Sequence, residues 1–190
     1  MKMTGTPTGW LLLMMLASAT ALAQTPAFKV CKSTYALCTT AMCSAINGNS
    51  TEVSCACDVK TGFSLGTQEC TSATGAAQGD SLASRYFPIK SFVACSNARP
   101  WANCLDAPCT LAPGAAPGSA NCTCKLQLSA VPYVITTDKY TAETCTSGII
   151  SSATVDSVLD VTQFLETSKE LPPFDFKVLN VQRRAGKPAN

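Results

Sequence analysis

The chain has 190 residues, 14 of them Lys or Arg and 12 Asp or Glu, with twelve cysteines and no histidine. A formal charge of +2 leaves no electrostatic case for nucleic acid or an anionic membrane surface as partner. The missing imidazole excludes serine-histidine and cysteine-histidine hydrolases in their usual forms, and it removes the commonest ligand of zinc, haem and mononuclear iron.

Met1-Lys2 gives a charged start, Trp10 to Leu22 an apolar run, and Ala21-Leu22-Ala23 a small-x-small cleavage pattern. Residues 1–23 therefore read as a signal peptide. The apolar run is short of the roughly 20 residues that a spanning helix needs. No later stretch approaches that length, so no membrane span is expected in the mature chain. The expected location is exported, periplasmic or extracellular. All twelve cysteines follow the segment, and an even count in an exported chain is the mark of a disulfide framework. The remainder is rich in Ala, Ser and Thr, which fill a core poorly, so the cysteines are expected to decide whether the fold exists.

The cysteines fall into two sets with one spacing pattern: Cys31, Cys38, Cys43, Cys55, Cys57, Cys70 and Cys95, Cys104, Cys109, Cys122, Cys124, Cys145. Position by position the sets are offset by 64, 66, 66, 67, 67 and 75, so the middle four keep register to within one residue. Neighbouring words repeat as well. Tyr35-Ala36-Leu37-Cys38 echoes Trp101-Ala102-Asn103-Cys104, and Cys70-Thr71-Ser72 echoes Cys145-Thr146-Ser147. The expected architecture is two homologous six-cysteine modules in tandem, 24–82 and 83–151, packed together across the glycine-containing stretch 75–80. A C-terminal part, 152–190, follows. Homology implies that the two sets of three bridges match, although each set of six cysteines allows fifteen pairings.

Inside each module the third and fourth cysteines flank a turn-rich insert, Asn47-Gly48-Asn49-Ser50 in the first and Ala112 to Gly118 in the second. Val53 to Val59 alternates like a strand, as does Cys122 to Leu126. A period of two puts both cysteines of each Cys-x-Cys on one face. There, Cys55, Cys57, Cys122 and Cys124 have two readings. As thiolates they would grip Cu(I) or zinc; in an oxidising compartment each turns to its own disulfide partner. Redox exchange is a third reading, but Lys125 points to the face opposite Cys124 and leaves no activating cation. No cofactor is expected. Asn49-Ser50-Thr51 and Asn121-Cys122-Thr123 match the glycosylation pattern, which counts for little behind a bacterial-looking signal segment.

The most distinctive run is Arg99 to Cys109. In a binding reading, Trp101 offers a flat apolar face while Arg99 and Asp106 orient a sugar or peptide. In a packing reading, Trp101 fills the core as Tyr35 does at the matching place, with Arg99 stacked over it or paired with Asp106. The aromatic recurs between modules and the charged pair does not, which favours packing. Arg99, Trp101, Asp106 and Tyr35 are the candidate binding residues.

In the C-terminal part, Val155, Val158, Leu159, Thr162 and Leu165 fall at helical spacing, with Ser151, Ser152 or Thr154 as cap and Leu171-Pro172-Pro173 as stop. Leu82, Ala83, Tyr86 and Phe87 before Pro88 suggest a shorter helical counterpart in the first module. Asp156, Asp160 and Glu166 read as the solvated helix face. Phe174 to Val178 alternates again and repeats Phe28-Lys29-Val30, which predicts a short closing strand; Arg183 to Pro188 reads as a frayed end.

The fold class is a small disulfide-rich, mainly β protein ending in one α-helix and a short strand. Cysteines and turn formers dominate over acids, bases and nucleophiles. The expectation is thus a non-enzymatic, exported binding or envelope-structural protein whose partner is another exported protein or a surface polymer. A thiolate metal-binding protein and an inhibitor of an exported hydrolase, acting through the loop Ala112 to Ala120, are the alternatives.

Overall fold

A computed structural model describes residues 28–70, 81–87, 91–111, 118–171, 175 and 177–180. The expected signal segment 1–23, the expected connector 75–80, residues 112–117 of the turn-rich insert and the expected frayed end 183–188 lie outside the described residues. Among those described, strands dominate and six disulfides staple them. Such a bridge density belongs to an oxidising, exported environment. No helix of the described residues is long and apolar enough to cross a membrane.

The first half contributes β1 (Lys29–Leu37), β2 (Met42–Ala45), β3 (Glu52–Gly66) and β4 (Ser81–Arg85). The second contributes β5 (Ser91–Cys95), β6 (Trp101–Asn103), β7 (Pro108–Thr110), β8 (Ser119–Gln127), β9 (Tyr133–Thr136) and β10 (Ile149–Thr154). Helix α1 (Val155–Thr167) and β11 (Lys177–Val178) complete the order. The pairings close on themselves. β3, β1, β4, β7 and β8 form one five-stranded circuit. β8, β6, β10, β2 and β3 form a second, and the β3–β8 pair is common to both. Each half thus lends a strand to the other's ring: β7 completes the first and β2 the second.

The registers repeat about an approximate two-fold axis at Cys55, which pairs with Cys122. Val53 opposite Cys124 is matched by Cys57 opposite Ala120. The parallel pair Ala36–Ser84 has its counterpart in Ala102–Ser151, and Leu82–Cys109 has its counterpart in Ile149–Cys43. Even the turns agree, since Ala41 N donates to Cys38 O and Ala107 N to Cys104 O, both at 3.1 Å.

Bridge connectivity follows the same rule. In each set the first cysteine joins the sixth, the second the fifth and the third the fourth: Cys31–Cys70, Cys38–Cys57 and Cys43–Cys55, then Cys95–Cys145, Cys104–Cys124 and Cys109–Cys122. The inner sulfurs occupy the ring interiors with Ala36, Val53, Leu82, Ala102 and Ala120. Alternation along β8 buries Ala120, Cys122 and Cys124 and exposes Asn121, Thr123 and Lys125. Cystine supplies the core volume that this Ala/Ser/Thr-rich chain lacks. The loops closed span 12 to 50 residues. Taken singly, each closure is worth about 3–4 kcal/mol on the chain-entropy account. Nesting makes them less than additive, because an inner loop is already shortened by the outer one.

The helix lies where the sequence places it. Thr154 is the N-cap, accepting from Ser157 N at 3.1 Å, and Asp156 sits in the first turn against the positive end of the dipole. Val161 and Leu165 pack on Leu65 and Phe87, and Val158 packs on Phe92 and Val134, so α1 spans material from both halves. It ends at Thr167, with the Ser168 N–H bonded to Phe164 O. The expected stop at Leu171-Pro172-Pro173 is therefore late, and the two prolines lie outside the described residues. The closing strand is Lys177–Val178, parallel to β5.

One expectation fails. Residues 82–87 form no helix: Ser81–Arg85 is strand β4, and Tyr86 makes an isolated bridge with Leu65. The apolar spacing suits a helical face, but β1 on one side and β7 on the other supply the backbone partners, and those non-local hydrogen bonds decide the matter. β4 runs through position 82/83, where the sequence suggests a seam.

Candidate functional site

All twelve cysteines are bridged. The four Cys-x-Cys sulfurs belong to four different disulfides, with Cys55 joined to Cys43, Cys57 to Cys38, Cys122 to Cys109 and Cys124 to Cys104. In this arrangement none of the four is a thiolate, the form in which cysteine donates to a soft cation.

The structure separates the four candidate binding residues. Tyr35 is buried, its hydroxyl donates to Phe87 O at 2.9 Å, and burial pushes its phenol up. Trp101 is 2% exposed and stacks on Tyr133, with ring centroids 6.1 Å apart and planes 15° from parallel. Arg99 stands in solvent, where its charge lowers a Tyr133 phenol that burial raises more. Asp106 does not pair with Arg99. Its Oδ1 accepts from Arg85 Nη1 at 3.3 Å, and its Oδ2 accepts from Thr67 N at 2.7 Å and Thr67 Oγ1 at 2.6 Å. The pairing expected within the Arg99 to Cys109 run is thus replaced by a long-range one. An arginine arriving on β4 inside the ring reaches the carboxylate, while Arg99 sits outside.

Arg85 is the residue that sequence reasoning missed. It is 2% exposed, and its guanidinium also donates to Ser64 Oγ at 3.0 Å, Gln68 O at 3.3 Å and Lys29 O at 2.9 Å. Desolvation lowers its pKa and the Asp106 carboxylate raises it in part. Room for the pair comes from Gly66. A Cβ there would run into the Asp106 carboxylate and lie 2.6 Å from Arg85 Nη1. Asp106 itself takes a left-handed backbone, φ 57°, which Asp adopts more readily than most residues. The available signal was a lone cation inside the run Leu82 to Phe87, flanked by apolar residues.

Two concavities stand out among the described residues. A cleft of about 100 Å³ lies between α1 and the sheet, walled by Phe92, Trp101, Val134, Val158 and Val161, with Tyr86 and Ser151 also in its lining. Burial pushes the Tyr86 phenol up to about 12; the Ser151 hydroxyl and the Cys104 backbone oppose this weakly, since neither reaches hydrogen-bond geometry with it. The second is an open groove of about 360 Å³, lined by Glu52, Gln68, Asn103, Thr123 and Lys125, with Asp106 in its floor. Trp101 therefore belongs to the cleft and Asp106 to the groove. Asn103 and Leu105 border both, and Tyr35 and Arg99 border neither.

Two carboxylates share the groove, which raises the question of acid-base chemistry. Both oxygens of Asp106 are committed to three donors, and Glu52 accepts from Asn49 Nδ2 at 2.9 Å. By contrast Gln68, Thr123 and Lys125 have side chains without internal hydrogen-bond partners among the described residues, and all three are exposed. The groove thus presents hydrogen-bond donors and acceptors on Gln68, Thr123 and Lys125.

No known protein family, no curated protein and no solved structure matches this chain.

Proposed function

We propose that this chain is an exported, non-catalytic binding protein of the periplasm or extracellular space. Its ligand is a neutral, hydroxyl-rich surface polymer lying in the groove between β3, β8 and the turn after β6. One observation carries the reading: Gln68, Thr123 and Lys125 face one groove with hydrogen-bonding capacity that no internal partner uses. A protein partner is disfavoured because strong protein interfaces centre on aromatic anchors, and the groove lining has none. The matched bridges and registers support a further inference, that the halves are two homologous copies of one six-cysteine unit in tandem.

The test is co-sedimentation of the full chain with insoluble neutral polysaccharide, beside a variant carrying Gln68→Ala, Thr123→Ala and Lys125→Ala. At about 1 kcal/mol per hydrogen bond, the triple variant should bind about a hundredfold more weakly with an unchanged melting temperature. Equal binding by both proteins would remove the groove from the account. New reducing ends in the supernatant would overturn the non-catalytic reading instead.

The inhibitor reading has its loop mostly outside the described residues. It keeps its own check. Replacing Ala112 to Ala120 with a Gly-Ser stretch should abolish inhibition of the target hydrolase, and retained inhibition would end that idea.

A further inference from the structure

Bridges from opposite halves meet at the shared β3–β8 seam. Cys38 Sγ lies 3.5 Å from Cys122 Sγ, although Cys38 is bonded to Cys57 and Cys122 to Cys109. Neither sulfur carries a hydrogen, so this approach is a van der Waals contact between two disulfides. The sulfurs of Cys38, Cys57 and Cys122 all lie within 4.8 Å of one another. A second cluster, Cys43, Cys55 and Cys104, obeys the same limit; it contains Cys104 and Cys55, the two-fold counterparts of Cys38 and Cys122, and joins the bridges Cys43–Cys55 and Cys104–Cys124. Every native bridge stays within its own half.

Thiol–disulfide exchange proceeds by attack of a thiolate on a disulfide sulfur, and a reacting distance of about 3–3.5 Å is already a near-attack separation. We propose that the seam is a redox-sensitive exchange switch in which opening Cys38–Cys57 transfers the bond to Cys38–Cys122 and covalently joins the two halves. The steps balance as follows. A dithiol reductant gives two electrons to Cys38–Cys57, is itself oxidised to a disulfide, and leaves two thiols. The Cys38 thiolate then attacks Cys122 Sγ; the Cys38–Cys122 bond forms, the Cys109–Cys122 bond breaks, and its electron pair leaves with Cys109, which takes up a proton. The second step is isoelectronic and needs no further reductant.

Burial sets the threshold. Cys38, Cys57, Cys109 and Cys122 are each 1% exposed or less, whereas Cys70 of the Cys31–Cys70 bridge stands in solvent. Mild reductant therefore opens the outer bridge first, and its sulfurs belong to neither cluster. The switch responds only to a reductant strong enough, or an opening of the fold large enough, to reach the seam. The cross-bridged isomer is also the mispairing nearest to the native state, which makes a dithiol-disulfide isomerase the class of partner that maturation calls on.

The test uses the full chain with Cys57→Ser, which leaves Cys38 without its native partner. Thiols are trapped with N-ethylmaleimide at mildly acidic pH, and digests are sequenced by mass spectrometry. The expected result is label moved from Cys38 to Cys109, with a Cys38–Cys122 linked peptide. Label confined to Cys38, with Cys109–Cys122 intact, overturns the proposal. The reciprocal Cys109→Ser chain should move its label from Cys122 to Cys57. Should either variant fail to fold, wild-type protein titrated with dithiothreitol decides the question. A transient Cys38–Cys122 peptide supports exchange, and direct passage from native bridges to paired thiols rules it out.

Discussion

The two halves carry the same nested bridges and the same ring registers, yet they close their rings differently. In the first half one hairpin runs unbroken from Lys29 opposite Gly66 to Leu37 opposite Asp58. In the second it divides into β6–β8 and β5–β9, and the β5–β9 pair folds onto β10. The register position that holds Arg85 in the first half holds Ser152 in the second, beside Leu37 and Asn103 respectively. Arg85 fills its space with a guanidinium bonded to four neighbours; Ser152 leaves space, and the cleft under α1 opens beside it. Bridges therefore specify the ring, while a few non-cysteine positions decide whether its end is plugged or open.

The largest effect expected is on the ring itself. Removing an inner bridge with Cys38→Ala and Cys57→Ala takes two core sulfurs and a closure of 19 residues; removing the outer bridge with Cys31→Ala and Cys70→Ala takes a closure of 39. Chain entropy alone ranks the outer bridge higher by about 0.6 kcal/mol. Core packing ranks the inner one higher by several, since it leaves a void among close-packed groups. We expect packing to win. The inner variant should lose about 5 kcal/mol or more and the outer about 2–3 in urea unfolding. An outer variant less stable than the inner would mean that the cystines act as tethers and not as core.

The plug comes next. Arg85→Met strands the Asp106 carboxylate, and breaking one partner of a buried pair costs about 3–5 kcal/mol. The lower end applies here because Asp106 borders the open groove. Adding Asp106→Asn should recover much of the loss, and Gly66→Ala alone should reproduce part of it by displacing both partners. Three additive losses would show that the pair is not a unit.

How far these features were legible in the sequence follows from the range of the interactions. The cysteine offsets, the one-faced Cys-x-Cys and the Thr154-capped helix rest on spacings of a few residues, or on repetition, and each is present in the fold. β4 depends on β1 and β7, whose paired residues are 25 to 48 positions away at Ala36 and Leu37 on one side and Pro108 to Thr110 on the other, so local apolar spacing misassigned it. The Arg85–Asp106 pair and the groove over it arise where residues from both halves converge. Nothing within the Arg99 to Cys109 run reveals that Asp106 answers to a cation on β4 and not to Arg99.

A smaller effect separates the halves by pH. The Tyr86 phenol, about 12 in the fold against about 10 in an unfolded chain, holds its proton longer when folded. Its contribution is therefore complete below pH 10 and is lost as pH rises from 10 to 12, on the order of 2 kcal/mol in all. Tyr86→Phe should be near neutral at pH 8, because the hydroxyl has no well-formed partner. The stability curves of the two proteins should therefore run together up to pH 10 and separate above it, with the wild type the less stable, and curves that stay parallel to pH 12 would mean that the phenol is not held protonated.

The smallest change tests the element that only the second half possesses. Thr154→Ala removes the acceptor for Ser157 N and should cost about 1 kcal/mol, typical of an N-cap. Where that loss appears matters more than its size. Helix α1 touches the rings through Val158, Val161 and Leu165, whereas the rings are closed by backbone ladders and cystines. A cap defect should therefore raise hydrogen exchange across α1 and leave amides of β3 and β8 protected, opening the cleft without loosening the seam. Equal loss of protection in α1 and the β3–β8 pair would make helix and rings one cooperative unit, and the cleft would then be no more easily opened than the core beneath it.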